Sequence, residues 1–251
     1  MQRAGLSVPE QVVVQSKDDL DGFLDRHGRV VVKPARGEQG RGVAVDLRSR
    51  DEVEAAVTAA REACDVVVLE RFVAGQDLRI IVIDNEVAAA AVRRPPSILG
   101  DGEHSIAKLI EKLSRRRANA TDGESIIPMD AETERCVAAA GYAMDDVPSE
   151  GQSIAVRKTA NLHTGGTIHD VTGELHESLA EAAVRAARAL EMPVVGFDFM
   201  VPTPAGPDYV IIEANERPGL ANHEPQPTAE RFVDLLFPQT VVDQKRTTET
   251  V

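Results

Sequence analysis

The feature that most constrains this sequence is a pair of apolar runs, Leu78 to Ile83 and Val87 to Val92, separated only by Asp84-Asn85-Glu86. Each run is the length of a strand and shorter than a stable helix. Asp and Asn tolerate the left-handed backbone that a tight turn needs, so the spacing predicts a β-hairpin. A hairpin pairs antiparallel, which argues against a purely parallel sheet. Elsewhere short β-branched runs alternate with helical patterns, giving an α/β or α+β class. Val30 to Lys33 and Val66 to Leu69 read as strands on either side of a segment with Val53, Ala56, Val57 and Ala60 at helical spacing. Ile106, Leu109, Ile110 and Leu113 mark an amphipathic helix that Ser105 can cap and that runs into Arg115-Arg116-Arg117. Residues 118–129, rich in Asn, Thr, Asp and Gly, predict a mobile surface loop. Ser178 stands three residues before Glu181, as in a capping box, ahead of the stripe Leu179, Ala183, Ala186 and Leu190. Two strands follow, Val194 to Val201 and Tyr209 to Ala214, and residues 241–251 read as a disordered tail.

Composition narrows the function classes. The 251 residues carry a formal charge of −13, 3% are aromatic, and there is no Trp. A wide basic footprint and base-stacking platforms are both lacking, so nucleic acid is not an expected partner. No apolar run approaches the ~20 residues of a membrane-spanning helix, and the start lacks the apolar core of a signal peptide. A cytoplasmic protein with no membrane partner is the expectation. Cys64 and Cys136 are far apart, outside any metal-ligand spacing, and are expected to be reduced thiols.

Three clusters carry chemistry. In the first, Lys33 closes a strand and leads into Pro34-Ala35-Arg36-Gly37-Glu38-Gln39-Gly40-Arg41-Gly42. Small residues let a backbone approach a polyphosphate while Lys and Arg supply charge, although a glycine loop after a strand can equally be a plain turn. It matches neither the Walker pattern nor GxGxxG. The second cluster is Asp198 on one strand with Glu213 and Asn215 on the next; alternation puts Glu213 and Asn215 on one face, with Ile212 and Ala214 opposite. Two carboxylates and an amide oxygen are hard ligands suited to Mg²⁺. Both acids lie in runs otherwise fit for burial, where a carboxylate needs a partner, and a cation is the natural one. The third is Arg157-Lys158-Thr159-Ala160-Asn161-Leu162-His163-Thr164-Gly165-Gly166, whose cations, amides and hydroxyls could cradle a transferring phosphoryl group.

In this order, and with Leu69-Glu70-Arg71-Phe72-Val73-Ala74-Gly75-Gln76-Asp77-Leu78-Arg79 and Glu213-Ala214-Asn215-Glu216-Arg217-Pro218-Gly219 included, the clusters resemble the ATP-grasp superfamily of carboxylate–amine ligases over roughly residues 5–238. The insert Arg93-Arg94-Pro95 with Gly100-Asp101-Gly102-Glu103-His104-Ser105 is similar to that of the cyanophycin synthetase and bifunctional glutathione synthetase families. The ending Asn222-His223-Glu224-Pro225-Gln226-Pro227 resembles the N-acetylglutaminylglutamine synthetase family, which makes a dipeptide osmolyte.

The resemblance implies an α+β fold of two lobes, with mainly antiparallel sheets sandwiching the nucleotide. A small lobe is expected at 5–73 and a large lobe at 74–240, with an insert at about 97–152. It implies that Lys33 and the lid Gly37, Gly40, Arg41 and Gly42 contact ATP phosphates, that Glu70, Arg71, Phe72 and Val73 line adenine, and that Asp77 holds the ribose. Asp198, Glu213 and Asn215 would bind two Mg²⁺ ions. Arg93 or Arg94, on opposite faces of a strand, would stabilise the acyl phosphate together with Arg157 and Asn161. The implied reaction joins small-molecule amino-acid or dipeptide substrates, N-acetylglutamine and glutamine first, with cyanophycin-like or glutathione-like ligation as the alternative. Relatives place another nucleotide-binding lysine and a whole lobe before Gly5-Leu6-Ser7-Val8-Pro9. A missing N-terminal lobe supplied by a longer chain or another polypeptide is therefore expected, and a nucleotide-binding module without independent catalysis is a third reading. Whether the chain forms a homo-oligomer is left open by the sequence.

Overall fold

A computed structural model describes residues 1–37, 40–223 and 225–240. The tail expected at 241–251 lies outside the described residues. In chain order the main elements are β1 Gln11–Val13, α1 Lys17–His27, β2 Val30–Pro34, β3 Ala44–Leu47, α2 Arg50–Arg61, β4 Val67–Arg71, β5 Gln76–Ile83, β6 Glu86–Arg94, β7 Ser97–Leu99, α3 Ile106–Ala120, α4 Ala131–Ala139, β8 Ser153–Ala155, β9 Thr167–Asp170, α5 Glu177–Ala189, β10 Val194–Val201, β11 Val210–Asn215 and α6 Thr228–Leu236. They form two compact units. One comprises residues 1–8, 75–92 and those from 169 onward; the other comprises Pro9–Ala74 and Arg93–Ile168.

The unit of residues 9–74 and 93–168 holds an antiparallel sheet in the order β1-β4-β2-β3. Alternation sends Val30, Val32, Val67 and Leu69 into a core with Phe23, Leu24, Val53 and Val57 from α1 and α2. Gln11, Lys33 and Glu70 therefore share the opposite face. Both helices start with full capping boxes, Ser16 with Asp19 and Ser49 with Glu52. A second core in this unit gathers Ile98, Ile106, Ile110, Ile127, Val137 and Ile154 around α3, α4 and the β7–β8 pair.

The other unit is built on a five-stranded sheet in the order β11-β10-β5-β6-β9. The hairpin expected from sequence joins β5 to β6 through Asp84 and Asn85, both in the left-handed region at φ 52° and 61°. β10 pairs antiparallel with β5 over its whole length and with β11 on its other side. One face packs Leu78, Ile80, Phe197, Phe199 and Ile211 against Leu179, Ala183 and Ala186 of α5. Fully burying a side chain of the size of Phe197 contributes ~1.5–3 kcal/mol. On the opposite face Ile81 and Ile83 meet Phe232 and Leu235 of α6.

Two local expectations are corrected. Ser178 does not cap α5: the N-cap is His176, whose Nδ1 accepts from the Ser178 N–H at 3.1 Å. Ser178 is already inside the first turn, so its spacing to Glu181 closes no box. Residues 118–129 are not a surface loop throughout either. α3 continues to Ala120, and beyond it Ile127 is 2% exposed. Ser125 Oγ donates to the Leu162 carbonyl at 2.6 Å, and Ser114 Oγ accepts from the Ile127 N–H at 3.0 Å. Ile127 lies in the short run Ile126-Ile127-Pro128-Met129, too brief to show a period, which is why sequence reading passes over it.

Ile127 supplies a direct check. Ile127→Ala should lower stability by ~2–5 kcal/mol, as for other buried aliphatic truncations, measured as a shift in the denaturant midpoint. A change under ~0.5 kcal/mol, typical of surface positions, would be incompatible with this packing.

Candidate functional site

In the unit of residues 9–74 and 93–168, Lys33 and Glu70 sit on the sheet face turned away from the helices. Glu70 is 2% exposed, and its carboxylate accepts from both Lys33 Nζ and Gln11 Nε2. Gln11 stands directly across from Glu70 in the β1–β4 register. The buried acid is thus held by one charged and one neutral donor, and it fixes the end of the lysine. Between β2 and β3 the glycine loop turns through Gly40 and Gly42 at φ 74° and 73°. A side chain at 42 would also press within 3.2 Å of Ala60 Cα on α2.

That loop forms one wall of a cleft of about 1230 Å³, lined among others by Gly40, Arg41, Glu52, Asp130, Arg135 and Arg157. Arg157 is 5% exposed, and its Nη1 donates to Asp130 Oδ1 at 2.7 Å and Thr133 Oγ1 at 2.8 Å. Asp130 doubles as the N-cap of α4. Burial raises its pKa, but hydrogen bonds from Arg157 and from the Thr133 backbone outweigh this and hold the carboxyl below the usual 3.8. Arg135 joins the same wall, donating to the Val45 carbonyl at 2.8 Å and to Glu132. Asn161 caps a short turn by accepting the His163 N–H at 2.8 Å, and its amide nitrogen is 3.7 Å from where a Cβ on Gly40 would stand.

In the other unit the antiparallel register sets Asp198 of β10 directly opposite Glu213 of β11, and Gly196 opposite Asn215. All three donors therefore lie on one sheet face. Asp198 is 8% exposed while Glu213 is exposed. On its other flank Asp198 faces Arg79 of β5, whose Nε and Nη2 donate to the two carboxylate oxygens, the second at 3.1 Å. Asn215 Nδ2 donates to the Gly196 carbonyl at 3.3 Å, leaving its Oδ1 for another partner. Among the described residues no set of three or more His, Cys, Asp or Glu side chains gathers to hold a metal. Two carboxylates and an amide oxygen fit instead a hard divalent cation that takes its remaining oxygens from phosphates or water.

The sequence-derived candidates divide between the two units. Lys33, Gly37, Gly40, Arg41, Gly42, Glu70, Arg71, Phe72, Val73, Arg157 and Asn161 belong to one unit; Asp77, Asp198, Glu213 and Asn215 belong to the other. Arg71 is exposed, and Phe72 lies under the Arg29 guanidinium, 4.0 Å from its ring centroid. Asp77 pairs with Met200 and by alternation shares the face of Arg79. Along β6, Ala90 and Val92 enter the core beneath α5, so Arg93 points from the opposite face of the strand, and the exposed Arg94 from theirs. Sequence reading missed Gln11, Arg79, Asp130 and Thr133. Arg79 had a usable signal, since it follows Asp77 by two strand positions. The partner expected for the Asp198 carboxylate is in the first instance this arginine. Cys64 and Cys136 are both free, and burial pushes the Cys136 thiol up to about 11.

This architecture is the ATP-grasp fold. The sequence profile of the prokaryotic glutathione synthetase ATP-grasp domain matches residues 3–108. The chain superimposes on the crystal structure of a bifunctional glutathione synthetase from Pasteurella multocida with a TM-score of 0.58 and 26% identity, covering 95% of this chain and 35% of that one. D-alanine–D-alanine ligase from Bacillus anthracis shares the fold at a TM-score of 0.57 and 15% identity, over 94% of this chain and 63% of its own. In sequence, the cyanophycin synthetase of Trichormus variabilis is 35% identical over 251 residues. That match covers 94% of this chain, which spans 28% of the length of that relative.

The Asp130–Arg157 pair makes stability pH-dependent in a defined direction. Because the folded pKa is depressed, the pair's contribution is complete above the unfolded value near 3.8 and is lost as pH falls through the folded value. Melting temperatures of the wild type and Asp130→Asn should differ at pH 7 and converge as pH falls below 3.8. A difference that stays constant into acid would contradict a charge-dependent pair.

Proposed function

We propose that the chain is an ATP- and Mg²⁺-dependent ligase module that joins a carboxylate to an amine, with N-acetylglutamine and glutamine as its substrates. The observation that carries this reading is the row of Asp198, Glu213 and Asn215 on one face of a sheet in an ATP-grasp fold. In this reading the chain divides, in order, into lobes at residues 5–73 and 74–240, although contacts group 93–168 with 9–74. Lys33 and the loop of Gly37, Gly40, Arg41 and Gly42 bind the phosphates, the backbone of residues 70–73 meets adenine, and Asp77 holds the ribose. Asp198, Glu213 and Asn215 would hold the Mg²⁺ ions, two in this reading. Arg93, in preference to Arg94 because of its face on β6, acts with Arg157 and Asn161 on the transferring phosphoryl group. The module's substrates are amino acids or dipeptides, met in the cytoplasm.

The chemistry follows from these groups. A carboxylate is a poor electrophile, so its oxygen first attacks the γ-phosphorus of ATP and ADP leaves, giving an acyl phosphate. The amine then attacks the acyl carbon, inorganic phosphate departs and the nitrogen loses a proton, leaving the amide. Lys33 and the arginines offset charge on the phosphoryl oxygens in both steps. Mg²⁺, when bound, adds Lewis-acid polarisation of the same oxygens. Loop closure excludes the water that would hydrolyse the acyl phosphate. No side-chain nucleophile is required.

A second reading, ligation of the kind carried out by cyanophycin synthetase, is favoured by the 35% identity over 94% of the chain. Phosphate release from ATP decides between them, assayed with candidate acids and amines on this chain and on a longer one. Release with N-acetylglutamine plus glutamine supports the first reading, and release only with other amino acids or peptides supports the second. Nucleotide binding without turnover in either chain would remove the catalytic proposal. Glu213→Ala should reduce Mg²⁺-dependent turnover by ~10²-fold or more; unchanged turnover would sink the ion assignment.

A further inference from the structure

Arg79 places a cation where the donor set alone calls for none. It faces Asp198 squarely in the β5–β10 register, its Nε and Nη2 reach different carboxylate oxygens, and the two side chains are only 15% and 12% exposed. Glu213 stands on the other side of Asp198, so three charged side chains form one row across three strands, one positive and two negative. The sheet makes room for the guanidinium through Gly196. A Cβ there would come within 3.3 Å of Arg79 Nη1 and 2.9 Å of Pro218 Cβ, so a side chain at 196 would force Pro218 to shift and would crowd the guanidinium.

A carboxylate offers about four lone-pair positions, and a bidentate guanidinium takes one on each oxygen. Such pairing takes only part of the acceptor capacity, so Arg79 by its own geometry does not exclude a metal from Asp198. It acts through charge: a fixed positive group a few ångströms from a divalent ion repels it, strongly so in a partly buried site. We infer that Arg79 makes the ion site conditional, keeping free divalent cations weakly bound until the negative charge of a nucleotide polyphosphate offsets it. The ion then enters with the nucleotide rather than ahead of it. This inference rests on Asp198 and Glu213 being ion ligands, as in the proposed function.

The test uses Mn²⁺ as the probe, with the free ion followed by its electron paramagnetic resonance signal, on the 251-residue chain with and without a non-hydrolysable ATP analogue. The wild type should bind Mn²⁺ weakly alone and on the order of tenfold or more tightly with the analogue. Arg79→Met should bind Mn²⁺ without nucleotide on the order of tenfold more tightly than the wild type, whereas Arg79→Lys, which keeps the charge, should stay close to wild type. Arg79→Gln, which still offers Asp198 a hydrogen bond, repeats the measurement if Arg79→Met does not fold, as judged by its melting curve. An arginine that merely held Asp198 in position would give the reverse sign, so equal or weaker Mn²⁺ binding in the folded neutral variant overturns the inference. Asp198→Asn and Glu213→Gln separate the two levels. If both leave analogue-dependent Mn²⁺ binding intact, the ligand assignment fails and the inference falls with it. If they abolish it while the neutral Arg79 variant binds no tighter, only the inference fails.

Discussion

An ionised carboxylate inside an apolar strand is tolerated only when a partner meets it, because unpaired burial costs several kcal/mol. β10 runs Val-Val-Gly-Phe-Asp-Phe-Met-Val and buries Asp198 at its middle. Much of the sheet around it can be traced to that one requirement. β5 must lie next to β10 in the register that brings Arg79 opposite, Gly196 must lack a side chain, and β11 must pair so that Glu213 and Asn215 reach the same face. The apolar residues between these positions then fall on the other face, where they complete the core beneath α5. Charge placement and core packing are two outcomes of one strand alignment.

The other unit handles a buried acid differently. Glu70 is even less accessible than Asp198, and its partners come from the strands on both sides of β4, Gln11 from β1 and Lys33 from β2. Lys33 is a compact charge on a flexible stem that can exchange one anionic partner for another. Arg79 presents a rigid fork whose geometry favours a fixed carboxylate. The two buried acids thus have partners of unequal mobility, a flexible ammonium in one case and a fixed fork in the other.

Much of the fold was legible because it rests on short, nearly continuous apolar runs of strand length and on turn residues with a local backbone reason. The hairpin at Asp84-Asn85 and the strand Val194–Val201 follow from such patterns alone, as does the Ser105 cap of α3. The carboxylate row was legible for the same reason, since Asp198 interrupts a run that otherwise asks for burial. What stayed hidden depends on pairing between distant segments. Nothing near Gln11 in sequence announces Glu70, and nothing near Asp130 announces Arg157, 27 residues away. Ile127 was obscured because its apolar run is too short to show a period, and Ser178 misled because a capping-box spacing can occur within the first turn of a helix whose start is set by His176.

One irregularity in β11 lets the two faces of that sheet be set separately. Asp198 pairs with Glu213, but the next residue, Phe199, pairs with Ile211, so Ile212 is the extra residue of a bulge. In an uninterrupted strand Glu213 and Ile211 would project to the same side. The bulge resets the phase, and Ile211 enters the core with Phe199 while Glu213 stays beside Asp198. Ile212 is thus the residue that the bulge takes out of the ladder, and no residue of β10 pairs with it. Without Ile212, Ile211 and Glu213 would be neighbours and ordinary alternation would keep them on opposite faces with no bulge; with Ile212 kept in a regular ladder, Ile211 would instead come onto the face of the acids.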